Sequence, residues 1–422
     1  MVVFCVMRLF LIGLAMLASL PAVAQKPSFP DLSRLVKAGS PALKTALPAA
    51  MGDDNLKKGI AYLGEGPDFI FAVESASTPK LIVDEAPGGP MKRVKGSGFW
   101  VGTGRLKTGT VHSFSYLIDG KPFGGKTDVP AFGPYSYAKP GVPAGKLSGK
   151  LVHTSRIYPG MKSDYWIYVP AQYDPSRPAA VMVWQDGEVL APRELPSRAQ
   201  IVFDNLTHEK KIPVIIQVLL SPGLAGEKQM RSIEYDTVND TFARFLRDEI
   251  LAEVQSTFNL RKDGYSRAIA GDSSGGICAF NVAWQQPDQF SRVLSRIGSF
   301  ASIQWQPGVL DGGNVYPNKI RKEAKRNIRV WLQDGSGDLE NEHGSWPLQN
   351  IQMANSLKLK EYDFHLAWGT GTHNRNGGHS ELAEEMIWLW RGYDPSKTDE
   401  TYQMETIEKA KPLFRIKALN RD

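Results

Sequence analysis

The stretch 268–276, AIAGDSSGG, constrains the fold more than any other part of this sequence. Its small apolar residues predict the end of a buried strand, and the apolar spacing over 277–284 predicts a helix directly afterwards. Between them lies a G-x-S-x-G pattern, which is typical of a sharp turn that holds its serine up at the edge of a sheet. A side chain at Gly271 or Gly275 would collide with neighbouring backbone in such a turn. We therefore expect the Ser273 hydroxyl to project from the edge of the sheet and to act as a nucleophile.

Apolar strands alternate with helical stretches after residue 149. The predicted strands are 165–169, 180–184, 214–220, 267–270, 292–297, 328–332 and 362–368, and the predicted helices are 237–254, 275–286, 347–359 and 381–391. Continuous apolar strands separated by helices indicate a mostly parallel sheet covered on both faces. We therefore predict an α/β catalytic domain over 149–393, followed by a C-terminal tail over 394–422.

A different pattern precedes that domain, after a polar stretch that reaches to about residue 55. Short alternating runs at 69–73, 80–83 and 113–118 are separated by glycine-containing turns at hairpin spacing. This pattern predicts a small antiparallel β-sandwich of Ig-like type over 55–137. The segment 138–148 is rich in proline and glycine and is predicted to be a linker.

The first 24 residues contain a short apolar run followed by an A-x-A cleavage pattern. This is typical of a secretory signal peptide cut after Ala24, and the run is short for a membrane-spanning helix. We therefore expect a periplasmic or secreted protein with no stable membrane insertion after cleavage. Arg8 is the only basic residue before the apolar run. A signal peptide that starts at Met7 would place Arg8 directly after its first residue, so the sequence leaves the start codon open between Met1 and Met7.

Composition narrows the class of protein further. The net charge of +6 comes from 50 basic and 44 acidic residues spread along 422 positions. We interpret this spread as solubility and predict no nucleic-acid partner. Of the two cysteines, Cys5 lies in the segment to be removed, so Cys278 has no intramolecular disulfide partner and is expected to be a packed small residue. The oligomeric state is left open by the sequence.

A serine hydroxyl needs a base to become nucleophilic, and the base needs an orienting carboxylate. On this architecture the chain order is serine, acid, then histidine after the last strand. His373 lies in a glycine-rich turn just after the last predicted strand and is favoured as the base, with His379 as the alternative. His365 lies within that strand and is expected in the core or on the surface, while His343 precedes it and is expected to line the pocket.

The acid should follow the strand at 328–332, which runs into the sequence QDGSGDLE. Asp338 is favoured, because a residue a few positions past the strand can reach the loop of the neighbouring strand. Asp334 abuts the strand end, and capping of the turn is its alternative role. For the oxyanion hole, which needs two backbone N–H groups, we predict Ser274 and Gly187.

These residues, together with RSIEYD at 231–236 and the segment 268–280, resemble the esterase D branch of the α/β-hydrolases. That branch includes enterochelin esterases, feruloyl and acetyl-xylan esterases, and the related mycolyltransferases. The similarity covers about 149–393 and is specific at the serine turn, the Asp338 loop and the His373 turn. It implies an α/β-hydrolase fold preceded by an E-set-type β-sandwich.

The same resemblance implies a triad of Ser273, Asp338 and His373. It also makes Arg231 and Glu234 candidates for orienting the substrate, with a salt bridge at the start of a helix as the alternative. The loops around Asp186 and Trp346 are further candidates for substrate binding.

The sequence therefore predicts an exported serine carboxylic-ester hydrolase that works through an acyl-enzyme without cofactor or metal. A carbohydrate-linked ester of feruloyl or acetyl type is the expected substrate, and its sugars could stack on Trp305 or Trp346. The alternatives are a siderophore esterase and an acyltransferase of the mycolyltransferase type. A metal site at Asp338, Glu342, His343 and His379 fits no standard zinc spacing.

Overall fold

The computed structural model describes residues 26–194 and 196–415, so the expected signal peptide at 1–24 lies outside the described residues. Three helices come first in the described part: α1 (Phe29–Lys37), α2 (Leu43–Met51) and α3 (Asp53–Lys58). A capping box begins α1, because Ser28 Oγ accepts from the Asp31 N–H and the Asp31 carboxylate reaches back to Ser28. The sequence prediction missed these helices by treating the segment as a polar stretch.

Antiparallel strands follow the helices: β1 (Ala61–Glu65), β2 (Asp68–Glu74), β3 (Lys80–Val83), β4 (Ala86–Pro87), β5 (Lys92–Arg93), β6 (Phe99–Arg105), β7 (Thr110–Ile118) and β8 (Lys121–Ala131). They form two sheets with the orders β1-β2-β6-β5 and β4-β3-β7-β8. Buried side chains from both sheets share one core, among them Phe71, Phe114 and Val129. The other face of β2 packs against the helices through Leu32, Leu47 and Ile70.

The second part of the chain alternates strands and helices. Its strands are β9 (Lys146–Leu147), β10 (Leu151–Thr154), β11 (Met161–Val169), β12 (Ala180–Gln185), β13 (Ile215–Leu220), β14 (Leu224–Ala225), β15 (Lys228–Gln229), β16 (Arg267–Asp272), β17 (Arg292–Arg296), β18 (Arg329–Gly337), β19 (Glu340–Asn341), β20 (Gly344–Ser345) and β21 (Asp363–Thr372). Its helices are α4 (Ala199–His208), α5 (Arg231–Tyr235), α6 (Thr241–Phe245), α7 (Leu251–Thr257), α8 (Ser274–Gln285), α9 (Tyr316–Lys322), α10 (Trp346–Leu359), α11 (Asn376–Leu389) and α12 (Thr406–Ala410). A π turn, Leu246–Ile250, joins α6 to α7.

The main sheet has the order β15-β14-β11-β13-β12-β16-β17-β18-β21, with β9 and β10 also pairing with β11. The pairings from β13 through β12, β16, β17 and β18 to β21 are parallel, whereas β11 runs antiparallel to β13. One hydrophobic core covers each face of the sheet, as continuous apolar strands require. The carboxyl ends of the parallel strands therefore meet at one edge, with β16 in the middle.

The two ends of the catalytic part are tied to its body. Asn205 on α4 donates to the carbonyls of Tyr135 and Tyr137, which lie just before the predicted linker. In the predicted tail, Tyr402 is buried with its hydroxyl bonded to Ser291, and Phe414 N–H donates to Asn355. Within the described ranges, no helix combines the length and apolar character needed to cross a membrane.

Candidate active site

Ser273 occupies a strained turn between β16 and α8. Its backbone has φ 60° and ψ −121°, a left-handed conformation that is rare for residues other than glycine. A Cβ at Gly271 would lie 2.4 Å from the carbonyl oxygen of Gly275, so only glycine fits there. A Cβ at Gly275 would instead approach the Gln185 side chain at 3.1 Å, which corrects the expectation of a clash with backbone at that position.

The serine hydroxyl, His373 and Asp338 form one hydrogen-bonded line. Ser273 Oγ lies 2.7 Å from His373 Nε2, and His373 Nδ1 lies 2.5 Å from Asp338 Oδ1. The Asp338 side chain is fully buried and the His373 side chain is partly exposed. The three residues come from the carboxyl ends of β16, β18 and β21, as the parallel order requires. This arrangement has the geometry of a nucleophile, a base and an orienting acid.

Asp334, the alternative acid, lies next to the Asp338 side chain. It is buried within β18, and its Oδ1 accepts the Gly335 N–H at 2.7 Å. Burial, together with the adjacent hydrogen-bonded Asp338, raises the pKa of Asp334 well above its ordinary value. A second negative charge beside Asp338 is therefore disfavoured.

The other three histidines that follow Ser273 in the sequence have different surroundings. His379 is buried on α11, and burial, with Arg296 and Arg375 nearby, lowers its pKa to about 3. The His365 ring stacks on Trp331 with the ring centroids 4.2 Å apart. His343 is partly exposed, and its carbonyl oxygen accepts from Ser302.

Ser299 is a neighbour of the nucleophile that sequence reasoning missed. Its Oγ lies 3.2 Å from Ser273 Oγ and accepts the indole N–H of Trp346 at 3.0 Å. The Trp346 ring also meets the His373 ring edge-on, at 5.7 Å between centroids. Trp346 is therefore packed behind the site, with its polar atom already bonded. The position of Ser299 just after β17, at the carboxyl edge of the sheet, is the signal that could have identified it.

Asp186 and Arg231 pair with each other beside the turn. Arg231 donates through Nε and Nη2 to the two Asp186 oxygens at 2.8 and 2.6 Å, and Arg375 approaches Asp186 Oδ2 at 3.4 Å. Glu234 is buried and accepts the Gly223 N–H at 2.8 Å, and burial raises its pKa to about 7. Substrate contacts by these residues stay predictions. Arg231, with its side chain one third exposed, is the most accessible of the four sequence candidates, which also include the buried Trp346.

The two predicted oxyanion donors flank the turn. Ser274 is the first residue of α8, so its N–H has no acceptor within the helix. Gly187 follows Asp186, which adopts φ 51°, and a Cβ at 187 would lie 2.4 Å from Leu219 backbone atoms. Glycine is thus required at 187 by the close approach to β13. The neighbouring Asp186 side chain lies close to the serine turn, because a Cβ built at Gly275 would be 3.7 Å from Asp186 Oδ2.

A cavity of 1010 Å³ lies away from these residues. Its lining includes Ala180 and Val214, where β12 and β13 begin, and Tyr393, which follows α11. The serine turn lies at the opposite, carboxyl edge of the sheet, so this cavity is a separate feature. Within residues 26–194 and 196–415, no cluster of three or more His, Cys, Asp or Glu is arranged to hold a metal ion.

Residues 158–389, more than half of the 422 residues, match the family model Esterase, described as "Putative esterase". The chain belongs to the Esterase family. It is 29% identical over 161 residues to an endo-1,4-beta-xylanase/feruloyl esterase of Xylanibacter ruminicola, a match that covers 38% of this chain and 19% of that protein. It is 23% identical over 248 residues to an iron(III) enterobactin esterase of Dickeya dadantii, covering 54% of this chain and 52% of that protein. The matches thus span about half or less of these relatives' own lengths.

The fold is similar to that of the enterobactin esterase from Shigella flexneri, with a TM-score of 0.53 and 19% identity over 79% of this chain and 97% of that one. The predicted α/β-hydrolase fold with antiparallel sheets before it is confirmed. The resemblance to enterochelin and feruloyl esterases is confirmed as well. The Ig-like assignment of the N-terminal sheets stays a prediction.

Proposed function

We propose that this chain is an exported serine carboxylic-ester hydrolase that acts through Ser273, His373 and Asp338. The observation that carries the proposal is the continuous line from Ser273 Oγ to His373 at 2.7 Å and on to Asp338 at 2.5 Å, built on a strained turn. A base in hydrogen-bond contact with a hydroxyl, and itself oriented by a buried carboxylate, is what activation of serine requires.

The reaction follows from these contacts in two halves. Ser273 Oγ attacks the ester carbonyl while His373 Nε2 takes its proton, and the negative oxygen rests on the N–H groups of Ser274 and Gly187. The intermediate collapses to an acyl-enzyme as His373 returns the proton to the leaving alcohol. Water then attacks the acyl-enzyme by the same path and releases the acid. Asp338 stabilises the positively charged imidazole in both halves.

We propose a carbohydrate-linked ester of feruloyl or acetyl type as the substrate, in keeping with the feruloyl esterase named among the relatives. Trp305 supports this proposal, because it is 54% exposed on the segment that follows Ser299. The same segment is held against α5, since Gln304 donates to Ser232 at 3.0 Å. An exposed indole provides a face on which an aromatic acid or a sugar ring stacks.

Two alternative activities fit the same chemistry. The enterobactin esterases among the relatives favour a siderophore ester as the second candidate. Transfer of the acyl group to a sugar in place of water is the third. Product analysis with and without an acceptor sugar separates hydrolysis from transfer, because release of free acid regardless of acceptor excludes the transferase.

The test is hydrolysis of a panel of aryl, feruloyl, acetyl-sugar and catecholate esters by the wild type, Ser273→Ala and Ser256→Ala. Ser256 is exposed on α7 and serves as the control. We expect Ser273→Ala to lose activity by about 10⁴-fold or more and Ser256→Ala to keep it. Full activity in Ser273→Ala would refute the mechanism, and the preferred ester identifies the substrate class.

A further inference from the structure

Asp128 links the N-terminal sheets to the loop that carries His373. It lies on β8, and its side chain is almost wholly buried, with 4% of the residue exposed. Both carboxylate oxygens accept the Thr372 backbone N–H at 3.1 Å, and Oδ2 also accepts the Thr372 hydroxyl at 3.0 Å. Thr372 lies 244 residues further along the chain, immediately before His373.

Thr372 is held on both sides of its backbone. It is the last residue of β21, and its carbonyl oxygen accepts the Asn374 N–H at 2.7 Å across His373. The N–H of Thr372 thus points at Asp128 while its C=O closes the turn around His373. A displacement of this one residue would move the imidazole relative to Ser273.

Neighbouring contacts from the same sheet hold the preceding residues. Thr370 Oγ1 donates to Asp84 at 3.0 Å and lies 2.9 Å from Ser113 Oγ on β7. A Cβ at either Gly371 or Gly377 would lie 3.4 Å from Val111 Cγ1. The sheet that contains β7 and β8 therefore lies directly under the turn from 370 to 377.

Burial of a charged carboxylate at this place is unfavourable in free energy. Burial, partly offset by the bonds from Thr372, raises the pKa of Asp128, and the nearby charge of Asp338 raises it further. Simple docking of two domains does not require an acidic residue beside another acid. A carboxylate does, however, offer two oxygens that together fix both the backbone and the side chain of one residue.

We propose that Asp128 is a positioning residue from the N-terminal sheets that holds the His373 loop in register with Ser273. The inference rests on the proposed function of Ser273 and His373, and it gives the N-terminal part a positioning role in the reaction. Because a misplacement of about 1 Å costs about 100-fold in rate, a local loosening of Thr372 is enough to reduce turnover.

The test compares Asp128→Ala, Asp128→Asn and Thr372→Val with Thr110→Val. Asparagine keeps one acceptor oxygen without the charge, and valine at 372 removes only the hydroxyl donor. Thr110 is the matched control, because its hydroxyl bonds Glu381 of α11 at 3.1 Å across the same interface, and Glu381 lies outside the loop 370–378. The readouts are kcat and KM for a small aryl ester, together with amide hydrogen exchange over residues 370–378.

We expect Asp128→Ala to lower kcat by about 10- to 100-fold, with KM for the small ester changed by less than threefold. Exchange over 370–378 should accelerate. Asp128→Asn and Thr372→Val should lose less, and Thr110→Val should match the wild type in both readouts. If Asp128→Ala fails to fold, the Asn and Val variants carry the test.

Wild-type kcat and exchange in all Asp128 and Thr372 variants would overturn the inference. So would an equal loss in Thr110→Val, because the effect would then come from general loosening of the interface. Failure of the proposed function gives a different result, namely a wild-type protein that cleaves no ester and whose Ser273 reacts with no fluorophosphonate. The exchange readout still decides whether Asp128 holds the loop in that case.

Discussion

Replacement of Gly271 by alanine tests whether the shape of the turn is what makes Ser273 a nucleophile. A Cβ at 271 would lie 2.4 Å from the oxygen, 2.5 Å from the carbonyl carbon and 2.8 Å from the Cα of Gly275. Ordinary contacts between carbon atoms begin at about 3.5 Å. The turn must therefore open by about 1 Å. Since all three atoms are backbone, no side-chain rotation relieves the overlap.

That displacement sets the size of the effect. A shift of about 1 Å in the reacting group costs about 100-fold in kcat. The overlap itself costs about 1–3 kcal/mol of unfolding free energy. We therefore expect Gly271→Ala to fold, to unfold at a lower urea concentration, and to hydrolyse an aryl acetate about 100-fold more slowly.

Gly149→Ala is the matched control for this experiment. Among the described residues, no atom lies within 4 Å of a Cβ built at Gly149, so alanine should be tolerated there without loss of activity. The assay is initial-rate hydrolysis of the aryl acetate by both variants at saturating substrate, with urea unfolding followed in parallel. A Gly271→Ala protein with wild-type kcat would refute the claim that turn geometry sets the reactivity of Ser273.

Three further predictions follow from buried charges. Asp338→Asn should lower kcat by about 10⁴-fold in the same ester assay, because the amide favours the wrong tautomer of His373; an unchanged kcat would exclude Asp338 as the orienting acid. Arg296→Met should lower the unfolding free energy by about 3–5 kcal/mol in urea titrations, because it leaves Glu385 and Asp272 buried without their cation, and wild-type stability would contradict this. Burial raises the pKa of Glu381 from its ordinary value of 4.5 to about 8 in the folded protein. Between these two pH values the folded protein holds a proton that the unfolded chain has released, so the free energy of unfolding falls as the pH rises towards 8. Glu381→Gln should therefore be more stable relative to the wild type at pH 8 than at pH 5 in urea titrations, and a pH-independent difference would count against that assignment.

Local sequence patterns were sufficient to predict the strand and the helix that flank Ser273. The apolar run before Gly271 and the helical spacing after Gly275 depend only on neighbours in sequence, and both elements form where they were expected. The preference for Asp338 over Asp334 rested on reach from the strand end, and the structure brings Asp338 to His373.

Contacts between distant segments could not be predicted in the same way. Nothing in the local sequence marks Asp128 and Thr372 as partners across 244 positions. The pairing of Arg231 with Asp186 likewise depends on how α5 approaches the end of β12. The missed α1 is a different case, because its capping box at Ser28 and Asp31 was a local signal that the emphasis on polarity overlooked.

The most direct test of the central claim is to react the protein with a fluorophosphonate ester and locate the adduct by peptide mass spectrometry. Only a serine activated by a neighbouring base reacts readily with such a reagent. We predict one adduct, on Ser273, with labelling abolished in Ser273→Ala and strongly slowed in His373→Ala. An adduct on another residue, or unchanged labelling of Ser273→Ala, would contradict the account.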